Sequence, residues 1–242
     1  MAEARIGTAG WSIPLRDAGT FPAEGAGLER YAARFNCAEI NSSFHRSHRA
    51  TTWERWAALA PDDFRFSAKL PKTITHGQKL VAAEALLDGF AAETAPLGAK
   101  LAVVLVQLPP SLAFDAEIAD AFFTALRQRT RARIACEPRH ASWFAEEADA
   151  LLVAHEVARV AADPARVARA AVPAGWRGLI YYRLHGSPVP YRSSYETERL
   201  EGYARAIRAD LDEGRDVWCI FDNTASSAAT GNALELQRLL AP

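Results

Sequence analysis

Leu101–Gln107 (LAVVLVQ) is almost wholly apolar for seven residues and is stopped by Pro109-Pro110. A run with no polar alternation is what a parallel strand covered on both faces needs, whereas a strand with one wet face would alternate. A second strand-like segment opens Ile134–Phe144 (IACEPRHASWF), and the strand Arg133–Glu137 breaks off into Pro138-Arg139-His140 before Ser142-Trp143 starts a helical turn. Asp115–Arg127, between the two, has helical composition, so the centre of the chain reads as strand, helix, strand.

Working outward, the same unit recurs. Phe64–Leu70 (FRFSAKL) sets Arg65, Ser67 and Lys69 on one face, and Cys37–Phe44 (CAEINSSF) sets Cys37, Glu39 and Asn41 on one face. Arg5–Trp11, Ala158–Ala162, Leu179–His185 (LIYYRLH) and Val217–Phe221 complete eight strands. Helices are expected from Leu28, after a Thr51-Thr52 cap, over Val81–Thr94, Glu146–His155 and Glu196–Glu213, and from the last strand to Leu240. Eight strands, most of them followed by a helix, in 242 residues give a single α/β domain over 1–242, a (β/α)8 TIM-type barrel. The stretch from Asp163 to Trp176 has room only for a short helix, so the sixth helix is expected to be degenerate. The rival is a doubly wound open sheet, but that usually stops sooner, and no glycine-rich phosphate fingerprint follows the first strand.

Half of the residues are hydrophobic, and 28 basic residues against 29 acidic ones leave a net charge of −1. That balance gives no general grip on nucleic acid or on an anionic membrane. Cys37, Cys136 and Cys219 are far apart within apolar runs and read as buried thiols in a cytoplasmic protein. The opening MAEARIGTAGWS has no apolar signal core, and no run is long enough to span a bilayer.

The C-terminal strand ends of a barrel form the face on which active sites are built. Here those ends carry Trp11, Glu39, Asn41, Lys69, Gln107, Glu137 with Arg139 and His140, Asp163, Arg183, His185, Asp222 and Asn223. The opposite ends carry Arg5, Arg65, Arg133, Arg159 and Asp216, read as solvated charges. Unpaired charge inside a barrel costs several kcal/mol, so this asymmetry points to a site at the C-terminal mouth. Glu39, Glu137, His140, His185 and Asp222 are the candidates for proton transfer. Trp11, Asn41, Lys69, Gln107, Arg139, Trp143, Arg183, Tyr191, Arg192 and Asn223 are the candidates for substrate binding. An internal ion pair of Glu39 with Lys69 or Arg183 is the structural reading, and a salt-bridged Lys69 is the commoner one than a Schiff-base lysine. His45, His48 and His76 stand in no metal-ligand spacing. A divalent metal, if present, would be assembled from Glu39, Glu137, His185 and Asp222. Asp163 before Pro164 reads as a turn residue, and Arg127–Arg133 (RQRTRAR) as a solvated helix end.

The segments IGTAGW (Ile6–Trp11), EINSSFHR (Glu39–Arg46), FSAKLPKTITH (Phe66–His76), QLPPS (Gln107–Ser111), EPRHASW (Glu137–Trp143), YYRLHG (Tyr181–Gly186), YRSSY (Tyr191–Tyr195) and FDNTA (Phe221–Ala225) together resemble the YecE-like family, a domain of unknown function also called DUF72. The resemblance implies a TIM barrel and no established reaction. The compact Ala/Arg-rich stretch from Asp163 to Trp176 departs from the family pattern.

The expected function is therefore an enzyme acting at the barrel mouth on a small anionic or phosphorylated molecule, by hydrolysis of a phosphoester. A nucleotide or nucleic acid is included as substrate, although net charge does not support nucleic acid. Lys69, Arg139, Arg183 and Arg192 would hold the anion, Glu137 or Glu39 would act as base, and His185 or His140 would donate the proton. The alternatives are a non-catalytic small-molecule barrel and an acid–base sugar isomerase or glycosidase using Glu39 and Glu137 beside Trp11, Trp143 and Tyr182.

Overall fold

The computed structural model describes residues 2–241. The strands are β1 (Ala4–Thr8), β2 (Cys37–Ile40), β3 (Arg65–Lys69), β4 (Leu101–Gln107), β5 (Arg133–Glu137), β6 (Val157–Arg159), β7 (Ala161–Asp163), β8 (Ala174–Gly175), β9 (Ile180–Leu184) and β10 (Val217–Phe221). The helices are α1 (Gly27–Ala32), α2 (Ala50–Leu59), α3 (Glu84–Thr94), α4 (Ala116–Arg127), α5 (Glu146–Ala154), α6 (Thr197–Asp212) and α7 (Ala228–Leu240).

Two parallel ladders, β2-β3-β4-β5-β6 and β7-β9-β10-β1, follow chain order and abut at two seams. At one, Ala9 faces Glu39 in a single bridge and the Gly10 amide donates to the Glu39 carbonyl at 2.8 Å. At the other, Val160 separates β6 from β7 while its amide donates to the Cys136 carbonyl at 2.8 Å. The sixth strand thus starts against β5 and ends against β9, bending at Val160. These are the eight strand positions of a TIM barrel, joined tightly along two arcs and loosely at two points.

The sixth helix is degenerate as expected: Ala168–Ala171 is a 3-10 turn, and β8 returns antiparallel to β6. Three of the boundaries that differ from expectation have a local cause. The second strand ends at Ile40, because the Ser43 hydroxyl donates to the carbonyls of Ile40 (2.9 Å) and Lys69 (2.7 Å) and draws Ser42–Phe44 into a 3-10 turn across the end of β3. Helix α2 starts at Ala50 behind Arg49 rather than at a threonine cap. Helix α3 starts at Glu84 instead of Val81, since Lys79, Leu80 and Ala82 hold positive φ and break any helix before it.

Apolar packing divides into two layers. Cys37, Val103, Leu105, Ala135, Tyr181 and Trp218 fill the barrel, and a larger set lies between strands and helices. The small residues of β1 have a steric cause: a Cβ on Gly7 would stand 2.2 Å from the Cys37 carbonyl oxygen. Arg159 corrects the reading of the opposite face. It is buried, paired with Asp149 at 2.8 Å and bonded to the Arg169 carbonyl, and it lies over the Phe144 ring, so it stitches α5 to β6 instead of being solvated.

Candidate functional site

The centre of the mouth is one side chain. Arg183 on β9 is 1% exposed, and alternation along Tyr181, Arg183 and His185 turns all three inward. Its Nε donates to both oxygens of Glu39 (3.2 and 3.0 Å), and its Nη2 reaches Glu39 Oε1 at 2.7 Å and Asp222 Oδ2 at 2.9 Å. Its Nη1 donates to Glu137 Oε2 at 3.1 Å. One planar guanidinium therefore binds carboxylates from β2, β5 and the end of β10, which its fixed fork of donors suits. Burial opposes its charge, but Asp222, Glu39 and Glu137 outweigh burial and hold its pKa well above the usual value. The Tyr181 hydroxyl closes the floor from below, donating towards Glu39 Oε2 (3.1 Å) and lying 3.0 Å from Ser67 Oγ.

Above this floor sits His185. Its Nδ1 is 3.0 Å from Asp222 Oδ2 and its Nε2 is 3.2 Å from Glu137 Oε1, so a protonated ring donates to a carboxylate at each end. Burial works against the charged ring, but Glu137 and Asp222 prevail and its pKa is raised. Burial also opposes ionisation of Glu137, yet His185, Arg183 and Arg139 hold it well below the usual carboxylate value. Asp222 is lowered likewise by Arg183 and His185. Arg139 completes the rim, donating from Nε to Glu137 Oε1 at 3.0 Å, and Tyr191 lies edge-on to His185 with ring centroids 5.4 Å apart.

Lys69 is different. It is 6% exposed, and its ammonium lies 3.8 Å from the centroid of Phe44, a contact made by the 3-10 turn after β2. Among the described residues that ammonium has no ion pair and no hydrogen bond, so the expected salt bridge of Glu39 is made by Arg183 and not by Lys69. Burial, followed by repulsion from Arg183, lowers its pKa to about 8 despite Glu39, Glu137 and Asp222. His76 packs edge-on to the same Phe44 ring, and burial together with Lys69, Arg139 and Lys72 lowers its pKa.

A cavity of about 430 Å3 opens beside this group, lined by Glu137, Arg139, His185 and Tyr191 together with Pro164 and Arg166 from the loop after β7. The structure thus brings together Glu39, Glu137, Arg139, Arg183, His185, Asp222 and Tyr191, with Lys69 electrostatically coupled to them. Other candidates stand apart. His140 Nδ1 accepts from the Ser142 amide and lies 2.8 Å from Ser142 Oγ, which caps a 3-10 turn. Trp143 is buried, its indole donating to the Leu112 carbonyl and its ring against Phe114. Gln107 is buried and bonds the Leu108 carbonyl, and Asn223 ties Ser193 to Asn232. Trp11 packs edge-on to Trp56 and Phe66, Arg192 is exposed, and Asn41 is half-buried with a sealed Oδ1 that has no partner among the described residues. Tyr182 points out of the barrel, its hydroxyl 3.3 Å from Asp210 on α6, and so cannot meet a sugar ring inside the mouth.

Tyr181, Ser67, Phe44 and His76 were missed among the candidates. The period-two spacing of Tyr181 with Arg183 would have found the first, but nothing local signals that the chain after β2 folds Phe44 under Lys69. As a metal site the four suggested ligands do not fit. Glu39, Glu137 and Asp222 converge on a guanidinium, His185 is bound between two of them, and no cluster of three such ligands is spaced for a cation among the described residues.

The chain is 24% identical to the UPF0759 protein YunF of Bacillus subtilis over 88% of this chain and 86% of that protein. It is 35% identical to the UPF0759 protein YecE of Escherichia coli over 34% of this chain and 30% of that protein. In three dimensions it matches a DUF72 family protein of Enterococcus faecalis with a TM-score of 0.79 and 22% identity, over 99% of this chain and 98% of that one. A xylose isomerase-like TIM barrel/4-hydroxyphenylpyruvate dioxygenase fusion protein matches with a TM-score of 0.53 and 15% identity, over 99% of this chain and 42% of the fusion. These structural likenesses carry the fold alone. The family model described as "Protein of unknown function DUF72" matches residues 5–242, and the chain belongs to that family.

Proposed function

We propose that the C-terminal mouth is the active site of an acid–base enzyme acting on a small molecule that bears a phosphate or carboxylate. One observation carries this reading. The three carboxylates of the mouth meet Arg183, Arg139 and a protonated His185, so that Lys69 is left over as a cation without a carboxylate of its own. A site with a surplus positive charge in a low-dielectric pocket attracts an anion. Arg139, on the cavity wall, holds that anion in this reading, and His185 supplies the proton. Arg183 is too enclosed and Arg192 too exposed to share the task.

Hydrolysis of a phosphoester is the reaction class we favour for the proton-transfer groups. His185 would protonate the leaving oxygen. Glu39 and Glu137 are engaged by guanidinium groups, so neither carboxylate is free to take a proton from water. The same engagement weighs against a glycosidase pair, which needs two carboxyl groups free to face the sugar.

The test is thermal unfolding of the wild type and of Arg139→Met with inorganic phosphate and with glycerol 3-phosphate. Stabilisation of the wild type that is lost in the variant supports the reading. No stabilisation, or equal stabilisation of both proteins, overturns it.

A further inference from the structure

Lys69 combines three features that an ordinary structural lysine lacks. Its chain is enclosed, its ammonium rests on an aromatic face instead of a carboxylate, and that ammonium has no hydrogen-bond partner among the described residues. The groups that face it are Arg183, Glu39, Glu137 and Asp222 from other strands, with His76 and Phe44 from the adjoining loops. The carboxylates among them are each held by Arg183, so none anchors Lys69 as an ion-paired cation. A lysine made poorly charged by burial beside another cation is the arrangement that turns an amine into a nucleophile.

We propose that Lys69 is a covalent nucleophile that forms an iminium with an aldehyde or ketone bearing a phosphate or carboxylate. This rests on the anion reading above for binding and goes beyond it for the reaction. The amine lone pair forms a bond to the carbonyl carbon, and the carbonyl π pair moves to oxygen, which takes the proton that the attacking nitrogen gives up. The resulting carbinolamine then loses that oxygen as water. The second proton of the water comes from His185, the doubly held imidazole that lines the cavity, and the nitrogen lone pair completes the C=N bond. No oxidant or reductant is involved. The iminium nitrogen stays cationic over Phe44 and draws electrons from the neighbouring substrate carbon.

The chain has four lysines, Lys69, Lys72, Lys79 and Lys100, which makes the test direct. Lys72 and Lys79 are exposed, and Lys100 is bonded to the carbonyls of Ala57 and Ala60. The full chain is treated at neutral pH with pyridoxal 5′-phosphate, reduced with borohydride, digested, and the labelled lysine located by mass spectrometry. A pKa of about 8 in place of 10.5 raises the free-amine fraction at neutral pH roughly 300-fold, so Lys69 should label at least about tenfold faster than Lys72 or Lys79 even with weaker intrinsic nucleophilicity. Lys69→Met should remove the fast phase and leave the slow one. Labelling of Lys72 and Lys79 with Lys69 equal or slower overturns the proposal. Glycerol 3-phosphate has no carbonyl and separates the two readings. If it stabilises the protein through Arg139 while Lys69 fails to trap, the anion site stands and the nucleophile falls.

Discussion

Replacing Lys69 by Met should make the protein more stable at neutral pH, the reverse of what removing a paired charge does. The magnitude follows from the displaced titration. Burial and Arg183 move the ammonium from 10.5 to about 8, and each unit corresponds to about 1.4 kcal/mol, so carrying the charge in the folded state costs on the order of 3 kcal/mol below pH 8. The contact with Phe44 is lost in the variant, and so is whatever solvent the nitrogen reaches, which reduces the expected gain to roughly 1–3 kcal/mol. Met fills nearly the same volume, so no cavity term is added. The sign in pH is also fixed. Between about 8 and 10.5 the unfolded chain keeps a proton that the folded chain has released, so wild-type stability gained from this residue rises with pH across that window. Urea unfolding of both proteins at neutral pH and near the top of the window measures the difference. The variant should be more stable at neutral pH, with the gap closing as pH rises. A Lys69→Met protein that is less stable at neutral pH would refute the reasoning, since it would show that Lys69 is held by favourable interactions.

Four further outcomes are expected. Arg183→Met leaves Glu39, Glu137 and Asp222 buried around an absent cation and should cost at least about 3–5 kcal/mol, read as a collapse of the thermal midpoint or loss of folded protein. Glu137→Gln removes the strongest attraction on the His185 ring while burial persists, so the histidine pKa should fall when followed by NMR titration. The wild type should lose stability both as pH falls below the ordinary carboxylate range, when Glu137 and Asp222 protonate, and as pH rises through the raised pKa of His185; Glu137→Gln should flatten both limbs in denaturant melts. Gly186 has φ +93° and a Cβ there would meet the Ser193 carbonyl oxygen at 2.7 Å, so Gly186→Ala should cost about 1–3 kcal/mol and displace the loop that carries Tyr191, seen as a lower thermal midpoint and weaker phosphate stabilisation.

The barrel was legible because its signals are local. An apolar run such as Leu101–Gln107 needs no partner to be identified, and polar residues at the strand ends place the mouth by topology alone. Arg183, Glu39, Glu137, His185 and Asp222 were legible for the same reason, each falling on the inward face of its strand. What local pattern could not supply was the pairing among them. The choice between Lys69 and Arg183 as the partner of Glu39 depends on which cation fits three carboxylates at once, and a guanidinium offers that many donors in one plane where an ammonium offers a point charge. Once Arg183 has taken all three, Lys69 is left with Phe44, which sits in the 3-10 turn that the Ser43 hydroxyl ties to the ends of β2 and β3. The surroundings of Lys69 thus depend on a turn and on a competing cation from distant parts of the chain, which no local pattern reveals. Residues that looked equally polar in sequence divide on this point: Gln107 and Asn223 satisfy the backbone, His140 caps a turn, and Arg159 locks a helix, while Lys69 alone among the inward cations keeps its chemistry unspent within the described residues.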